Sequence, residues 1–374
     1  MPATATARYA GLDLFRGLAV AGMIVVNTPG SWDHVWWPLD HAEWHGFTPT
    51  DLVFPAFLCA MGVALGLSFP RTIDRAFCAK VARRTLLLII IGWAWQMLAR
   101  PGIEQFRLFG VLPRLGLCYG AAALLAICTA RRDDANRSHL RASALAIAIA
   151  ILLAGYWAAM MLVPVPGQGA GDLSPKGNLA GWIDRALVGT HHMWRSGTDA
   201  AGNVVYDPEG LFSTLPALAN TLFGMLAGLW WKRDPARAAQ RLALGGIALA
   251  LLGLALAPWF PLNKKLWTSS FALLTSGLSG IILAAAILAE RFPALSRPLA
   301  PFALLGRNAL LAYLVSLLIG LLGIRLGFQE PAYGALAGAI GEPYVASFLY
   351  ALLVLAAVFA LLVPLDRRGL YLRL

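Results

Sequence analysis

Charged residues are scarce in this sequence. Asp, Glu, Lys and Arg together make up 13% of its 374 residues, whereas 59% of the residues are hydrophobic. Soluble globular domains carry roughly 25% charged residues, so this scarcity excludes an ordinary soluble protein. A transmembrane β-barrel is also excluded, because its strands alternate apolar and polar residues over short segments. The long, continuous apolar runs predict an all-α, polytopic membrane protein instead.

Cysteine is scarce as well. The four cysteines are Cys59, Cys78, Cys118 and Cys128. Three of them fall in apolar runs and one in a basic loop, so the sequence predicts neither a disulfide framework nor a zinc motif. The histidines of the chain show no HExxH-like spacing either. We therefore expect no metal.

Acidic residues are outnumbered by basic ones, 19 to 30, which gives a formal net charge of +11. A basic excess is often the footprint of a nucleic-acid-binding protein. Here the basic residues lie in short loops between apolar runs, which is the pattern of cytoplasmic loops in membrane proteins. We therefore expect membrane lipids, and no nucleic acid, around this chain.

Ten segments are predicted to span the membrane, within a single domain that covers residues 1–374. They are about 10–28, 51–69, 85–98, 108–130, 142–163, 212–231, 242–259, 267–289, 303–325 and 343–364. Asp13 and Arg16 interrupt the first apolar run, and no small-residue cleavage site follows, so we expect no cleavable signal peptide.

The distribution of Lys and Arg predicts the orientation. The loops at 70–84, 131–141, 232–241 and 290–301, together with the termini, carry 19 of these 30 residues, and the opposite loops carry 8. The positive-inside rule therefore places both termini in the cytoplasm. The loops at about 29–50 and 164–211 then face outward, into the periplasm of a bacterium. The longer loop is either a functional lid or a solvated linker.

The segment from Asn27 to Asp51 concentrates groups that suit chemistry at the membrane surface. It contains three of the six histidines, four Trp and four carboxylates. A neutral imidazole can accept a proton or an acyl group, and an Asn amide can donate to an oxyanion. His41, in HAEWHG, is the preferred candidate, with Trp44 beside it, and His34 and His45 are its rivals.

Other polar residues lie in or next to apolar runs, where ionisable groups are costly and often functional. Asp13 and Arg16 share a helix face, as an ion pair or as a ligand contact. Arg114 requires a carboxylate, a carbonyl or a phosphate. Two further candidate pairs are Asp207 with Glu209 and Lys264 with Lys265. The acids bind sugar hydroxyls or cap a helix, and the lysines are functional or snorkel to the interface.

Six segments resemble, in order, the heparan-α-glucosaminide N-acetyltransferase family of the transmembrane acyltransferase superfamily. They are RYAGLDLFRGLAVAGMIVVNTPGSW, HAEWHGFTPTDLVFPAF, GVLPRLGLCYG, DPEGLFSTLPALANTLFG, NKKLWTSS and GRNALLAY. The likeness covers nearly the whole chain and is that of a bacterial core form, without the luminal domain of eukaryotic members. The family pattern has Asn where this chain has His45.

The resemblance implies transfer of an acetyl group from cytoplasmic acetyl-CoA to the amine of glucosamine or a related amino sugar on the periplasmic side. It assigns the active histidine to His41 and its partner to Asn27. Asp13 is a third catalytic candidate, from its spacing to Arg16, as the group that orients the ligand of that arginine. Candidate acetyl-CoA contacts are Arg16, Arg71, Arg84, Arg114, Arg307 and Asn308. Candidate acceptor contacts are Trp44, His45, Asp207, Glu209, Lys264 and Lys265. A homodimer is also implied. The alternatives are another glycan, lipid or peptide acceptor, or a transporter of sugars or acyl-CoA.

Overall fold

A computed structural model of the protein describes residues 9–104 and 106–372, and their regular secondary structure is almost entirely helical. In the described residues the helices are α1 (Ala10–Asn27), α2 (Val53–Ser68), α3 (Arg75–Ala99), α4 (Val111–Thr129), α5 (Ala142–Leu162), α6 (Leu179–Val188), α7 (Thr214–Arg233), α8 (Ala238–Leu256), α9 (Ser269–Arg291), α10 (Pro293–Arg307), α11 (Ala309–Arg325), α12 (Gln329–Ile340) and α13 (Pro343–Arg367). A short antiparallel hairpin pairs β1 (Arg131–Arg132) with β2 (Ser138–His139).

The predicted all-α membrane protein is confirmed. Seven helical segments in the described part of the chain are long and apolar enough to cross a membrane, and the bent pair α10–α11 raises this to eight if it is one span. The seven are α1, α2 with the turn that precedes it, α4, α5, α8, α9 and α13. Each of the ten predicted segments overlaps at least one helix. The number ten and the orientation of the termini stay predictions.

Two predicted spans differ from the observed helices. The third helix begins at Arg75, ten residues before the predicted start, because Asp74 caps it by accepting a hydrogen bond from the Phe77 N–H. Several basic residues assigned to a loop therefore lie on the first turns of α3. The ninth span is two helices, α10 and α11, that meet at an angle of 82°.

The break between α10 and α11 occurs at Asn308. Its backbone is not helical, with φ −118° and ψ 36°. Its side chain donates to the Leu370 carbonyl and accepts from the Leu372 N–H, so it holds the end of the described chain instead of extending the helix. Gly306 allows close packing here, since a Cβ would lie 1.8 Å from the Asp13 carbonyl oxygen of α1.

Close contact between α2 and α7 forms the centre of the bundle. A Cβ on Gly62 would lie 1.9 Å from the Thr221 carbonyl oxygen, and one on Gly224 would lie 2.1 Å from that of Cys59. Small residues let backbones approach in a membrane, where packing replaces the hydrophobic effect as the main force between helices. This contact fixes α2, which begins directly after the histidine-containing loop.

The segment 164–211 is folded and packs onto one end of the bundle. Asn178 caps α6 by accepting from the Gly181 N–H, at 2.7 Å. The buried Asp184 accepts from the backbone N–H groups of Leu211 and Phe212, at 2.9 and 3.3 Å. These contacts favour a structured cap over a solvated linker. The segment contacts the loops 28–52 and 257–268 at this end. Near the start of α1, Tyr9 and Tyr371 line the same cavity.

Candidate active site

His41 and Asp51 form a hydrogen-bonded pair at the capped end of the bundle. The Nδ1 atom of His41 lies 2.6 Å from Oδ1 of Asp51. Asp51 belongs to the short turn Pro49–Leu52 that precedes α2, and its Oδ2 accepts from the Thr48 N–H at 3.0 Å and from the Thr48 hydroxyl at 3.2 Å. An ionised carboxylate only accepts, so Nδ1 carries the proton and Nε2 is the basic nitrogen. The loop therefore supplies an oriented base.

Lys264 lies next to Nε2, the basic nitrogen of this imidazole. Its Nζ is 3.2 Å from Nε2 of His41. The 257–268 loop holds the lysine in place: Asn263 Oδ1 accepts from the Leu266 N–H at 2.8 Å, and the Trp267 N–H donates to the Lys264 carbonyl at 3.2 Å. Trp267 is buried and has a φ of 52°, which is rare for a bulky residue. Such strain is common at functional sites.

The charges around His41 favour its neutral form. Burial lowers the pKa of His41 below its usual 6.5 and the positive charge of Lys264 lowers it further, while Asp51 and Glu209 oppose both effects. Burial also lowers the pKa of Lys264 from its usual 10.5, against the carboxylates of Glu209 and Asp51. The imidazole side chain is 38% exposed, whereas the Asp51 side chain is fully buried. His41 can thus meet a ligand as a neutral base.

A buried ion cluster lies next to Lys264. Arg107 donates to both carboxylate oxygens of Asp207, at 2.9 and 2.6 Å, and to Glu209. Asp207 also accepts from the backbone N–H groups of Trp194 and Glu209, so hydrogen bonds occupy its oxygens. Burial opposes charge on Arg107, but the two carboxylates outweigh it and raise its pKa. Asp207 anchors the cluster, and the negative charge of Glu209 acts on Lys264, where it favours the protonated amine.

Arg114 belongs to this same cluster. It is 1% exposed, donates to the Gly210 carbonyl at 2.9 Å and to the Ser213 hydroxyl, and lies 5.0 Å from the Trp267 ring. Its Nε and Nη1 atoms are buried without a hydrogen-bond partner among the described residues. The structure therefore places Arg114 beside Glu209, rather than among the other candidate contacts of acetyl-CoA.

Aromatic and basic side chains form the rim of the site. Trp44 donates from Nε1 to the Leu173 carbonyl at 2.8 Å, and its ring lies 4.9 Å from that of Tyr206. Lys265 donates to the Glu43 carbonyl and its Nζ lies 5.9 Å from the Trp44 ring. His45 lies 3.3 Å from the Asn263 amide. Trp44, His45 and Lys265 thus lie in or against the loop that contains His41, and their roles stay predictions.

Asn27 and His34 lie away from the imidazole of His41. Asn27 is the exposed last residue of α1, and no hydrogen bond joins it to His41 in the part of the chain that the structure describes. Its role as the partner of His41 stays a prediction. His34 lies 3.0 Å from the Tyr333 hydroxyl of α12, which separates it from the polar cluster. His41 is therefore the better-placed histidine of the loop.

A basic cavity opens at the opposite end of α1. It has a volume of about 580 Å³ and is lined by four basic side chains: Arg16, Lys80, Arg84 and Arg307. The Arg84 guanidinium lies 4.6 Å from the Tyr119 ring, and its Nε is buried without a partner among the described residues. Asp13 also lines the cavity, 3.9 Å from Arg16. Such a donor set suits phosphate groups.

Two other candidate contacts have different positions. Arg71 is exposed and lies outside this cavity, where its carbonyl accepts from the Ser138 N–H at 2.6 Å. Asn308 acts on the cavity indirectly, by holding the backbone of Leu370 and Leu372, while Tyr371 and Leu372 line the cavity wall. Arg307 forms an ion pair with Asp366 that fixes the same segment.

The cavity and the polar cluster approach each other inside the bundle. Leu115 lines the cavity and directly follows Arg114. Leu310 also lines it, one helical turn before the buried Tyr313, which lies within electrostatic reach of Glu209. Along α1, the eleven residues from Arg16 to Asn27 span roughly 17 Å. Arg16 of the basic cavity is thus about half the hydrocarbon thickness of a bilayer away from the end of α1, where the chain enters the loop that contains His41.

Two residues of the site, Asp51 and Arg107, were not among the candidates from the sequence. Asp51 follows Thr48 by three residues, a spacing typical of a helix cap, and this signal could have identified it as structured and close to His41. Arg107 is separated from Asp207 by 100 residues, and no local pattern connects them. Across residues 9–104 and 106–372, no group of three or more His, Cys, Asp or Glu is arranged to hold a metal ion.

Fold and site together define a multi-pass membrane protein with an oriented histidine base at one end of its bundle and a basic cavity at the other. The family model described as heparan-alpha-glucosaminide N-acetyltransferase, catalytic, matches residues 8–254. The chain therefore belongs to this family. The matched range includes His41, Asp51 and Glu209 but ends before Lys264.

Two curated relatives carry the same name. The chain is 30% identical to heparan-alpha-glucosaminide N-acetyltransferase from Homo sapiens over 322 residues, which cover 74% of this chain and 48% of the relative. It is 29% identical to the Mus musculus protein over 318 residues, which cover 73% and 48%. The chain thus spans about half the length of the curated relatives that it matches.

Proposed function

We propose that this protein is a transmembrane acetyltransferase that moves an acetyl group from acetyl-CoA to the amine of glucosamine or a related amino sugar. One observation carries this proposal. The helices α4 and α11 contribute residues both to the basic cavity and to the polar cluster beside His41. The family name supports the reaction class and the amino-sugar acceptor.

The basic cavity is the proposed donor site. Its volume of about 580 Å³ and its Arg and Lys side chains fit a nucleotide with several phosphates. Arg84 supplies an unpaired buried N–H, as an anion-binding residue requires. The acyl end of a thin, extended donor would lie past Leu115, toward Arg114 and His41. The carrier thereby stays on the side of the chain termini, which we assign to the cytoplasm of a bacterium.

His41 is the proposed general base. Asp51 holds Nδ1–H and leaves Nε2 to take a proton from the acceptor amine as nitrogen attacks the thioester carbonyl. Positive charge from Lys264 and hydrogen bonds from an amide such as Asn27 stabilise the developing oxyanion. When the C–S bond breaks, the sulfur leaves as a thiolate, and His41 passes to it the proton that came from the acceptor amine.

The aromatic rim is the proposed acceptor site. Trp44 offers an apolar face for a sugar ring, and His45 and Lys265 offer polar contacts around it. Glu209 carries the negative charge that attracts an ammonium group, while Asp207 and Arg107 position it. We propose that this rim faces the periplasm, that the protein spans the bacterial inner membrane ten times as one domain, and that two copies form a homodimer.

Acetyl transfer in proteoliposomes tests the proposal. Vesicles with acetyl-CoA on the side of the basic cavity and glucosamine on the opposite side should release free CoA and form N-acetylglucosamine. Galactosamine and glucosamine oligosaccharides, supplied in parallel, define the acceptor. Movement of sugar or acetyl-CoA across the membrane without release of CoA would show that the protein is a transporter and not an enzyme.

A further inference from the structure

Lys264 presents an amine to the proposed catalytic base. Its Nζ lies 3.2 Å from Nε2 of His41, within the distance over which a base removes a proton from a nucleophile. An acceptor amine would have to stand in much the same place. The charges of Glu209 and Arg114 both act on Lys264, and Leu115, which follows Arg114 in α4, lines the basic cavity from which we expect the acetyl donor to arrive.

The adjacent lysine provides a contrast. Lys265 donates to the Glu43 carbonyl and lies over the rings of Trp44 and Tyr206, at 5.9 and 6.0 Å. These contacts hold its Nζ on the rim, and because burial lowers its pKa too, position rather than charge distinguishes the two lysines. In the described residues, Lys264 makes its side-chain hydrogen bond to His41. Burial also lowers the pKa of Lys264, which increases the fraction present as the nucleophilic amine.

We propose that Lys264 is a site of self-acetylation: when no amino sugar is present, its Nζ takes the acetyl group and the enzyme becomes inactive. This inference rests on the proposed function. The Nζ lone pair attacks the thioester carbonyl, a C–N bond forms and the C–S bond breaks. His41 removes the proton from Nζ and delivers it to the departing thiolate. The product is N-acetyl-lysine and free CoA.

Acetylation of Lys264 changes the site in two ways. It removes the positive charge beside His41 and adds an acetamide where the acceptor amine must bind. Both changes oppose a further turnover, so the modified enzyme should not acetylate a sugar. An amino sugar in the site would take the acetyl group first and protect the lysine. The protein would thereby be active only when donor and acceptor are present together.

The experiment uses purified full-length protein and acetyl-CoA with an isotope-labelled acetyl group. After incubation with or without glucosamine, chymotryptic peptides are sequenced by mass spectrometry. We expect label on Lys264 and not on Lys265, which lies in the same peptide, or on Lys80 of the basic cavity. Glucosamine should suppress the label, and transfer activity should decline in step with labelling.

Two variants test the chemistry of the step. His41→Ala should reduce labelling of Lys264 by at least about 100-fold, because the base is lost. Lys264→Arg, at whatever rate it starts, should not lose activity during incubation with acetyl-CoA alone. Label spread evenly over exposed lysines, or glucosamine acetylation with no label on Lys264, would overturn the inference alone. If neither glucosamine nor Lys264 takes up label, the proposed function is overturned with it.

Discussion

The buried carboxylate of Asp51 lies 2.6 Å from Nδ1 of His41, an imidazole that is itself partly exposed. Two hydrogen bonds from Thr48 fix the second oxygen of the same carboxylate. A rigid, buried acceptor therefore controls the tautomer of an accessible base. Such an arrangement, in which one group reacts and a second group orients it, is typical of hydrolase and transferase sites.

Replacement of Asp51 tests this orientation. In Asp51→Asn the amide can donate to Nδ1, which would stabilise the wrong tautomer, so we expect kcat to fall by about 10²- to 10⁴-fold. Asp40→Asn is the matched control, because Asp40 accepts from the backbone N–H of His41 at 2.7 Å and not from its ring. Steady-state acetyl transfer measures both variants. Equal losses in the two would show that the loop, rather than the imidazole, is disturbed.

The pH dependence of kcat/KM should report the pKa of His41 in the free enzyme. Measured for the acceptor, kcat/KM should fall as the pH drops through this pKa, which lies below the usual 6.5 because of burial and of Lys264. Lys264→Gln removes a positive charge, so the pKa rises and the acid limb should move to higher pH. Asp51→Asn removes a negative charge and should move it to lower pH. An acid limb that stays fixed in both variants would exclude His41 as the titrating base.

Adjacent arginines on α3 distinguish the proposed donor site from general surface charge. Arg84 lines the basic cavity, whereas Arg83 is exposed and does not. Arg84→Met removes charge-assisted hydrogen bonds worth about 1.5–3 kcal/mol each, so the KM for acetyl-CoA should rise about 10- to 100-fold. Arg83→Met should leave this KM unchanged, and so should Arg71→Met. A similar rise in all three variants would place the donor elsewhere.

The sequence singled out the loop of His41 and, separately, Lys264 and Glu209, but it did not show that these residues meet. The apolar runs predicted the helices, because a membrane span must be long and hydrophobic. The local pattern left His34 and His45 as rivals of His41, and the family resemblance favoured His41. The contact with Lys264 depends on how the loops before α2 and α9 meet, 223 residues apart in the chain. The bend at Asn308 depends on its hydrogen bonds to the residues 370–372. Such contacts are set by tertiary packing and leave no local signal.

The ion cluster around Arg107 should contribute strongly to stability. Arg107→Met leaves the carboxylates of Asp207 and Glu209 buried without their cation, and loss of one partner of a buried pair typically costs about 3–5 kcal/mol. The thermal midpoint in detergent should therefore fall clearly. Arg137→Met is the control: its ion pair with Asp133 is exposed, so the midpoint should not change.

The pH dependence of the stability loss in Arg107→Met identifies the cause of that loss. With Arg107 present, the pKa of Glu209 is lowered despite its burial, because Arg107 and Lys264 favour the charged form. The stability that this provides is present above the unfolded pKa and is lost as the pH falls through the folded pKa. In Arg107→Met the pKa of Glu209 should instead rise, so acid should relieve the destabilisation. Adding Glu209→Gln should recover part of it at neutral pH. A deficit independent of pH and of Glu209 would point to lost side-chain packing rather than to uncompensated charge.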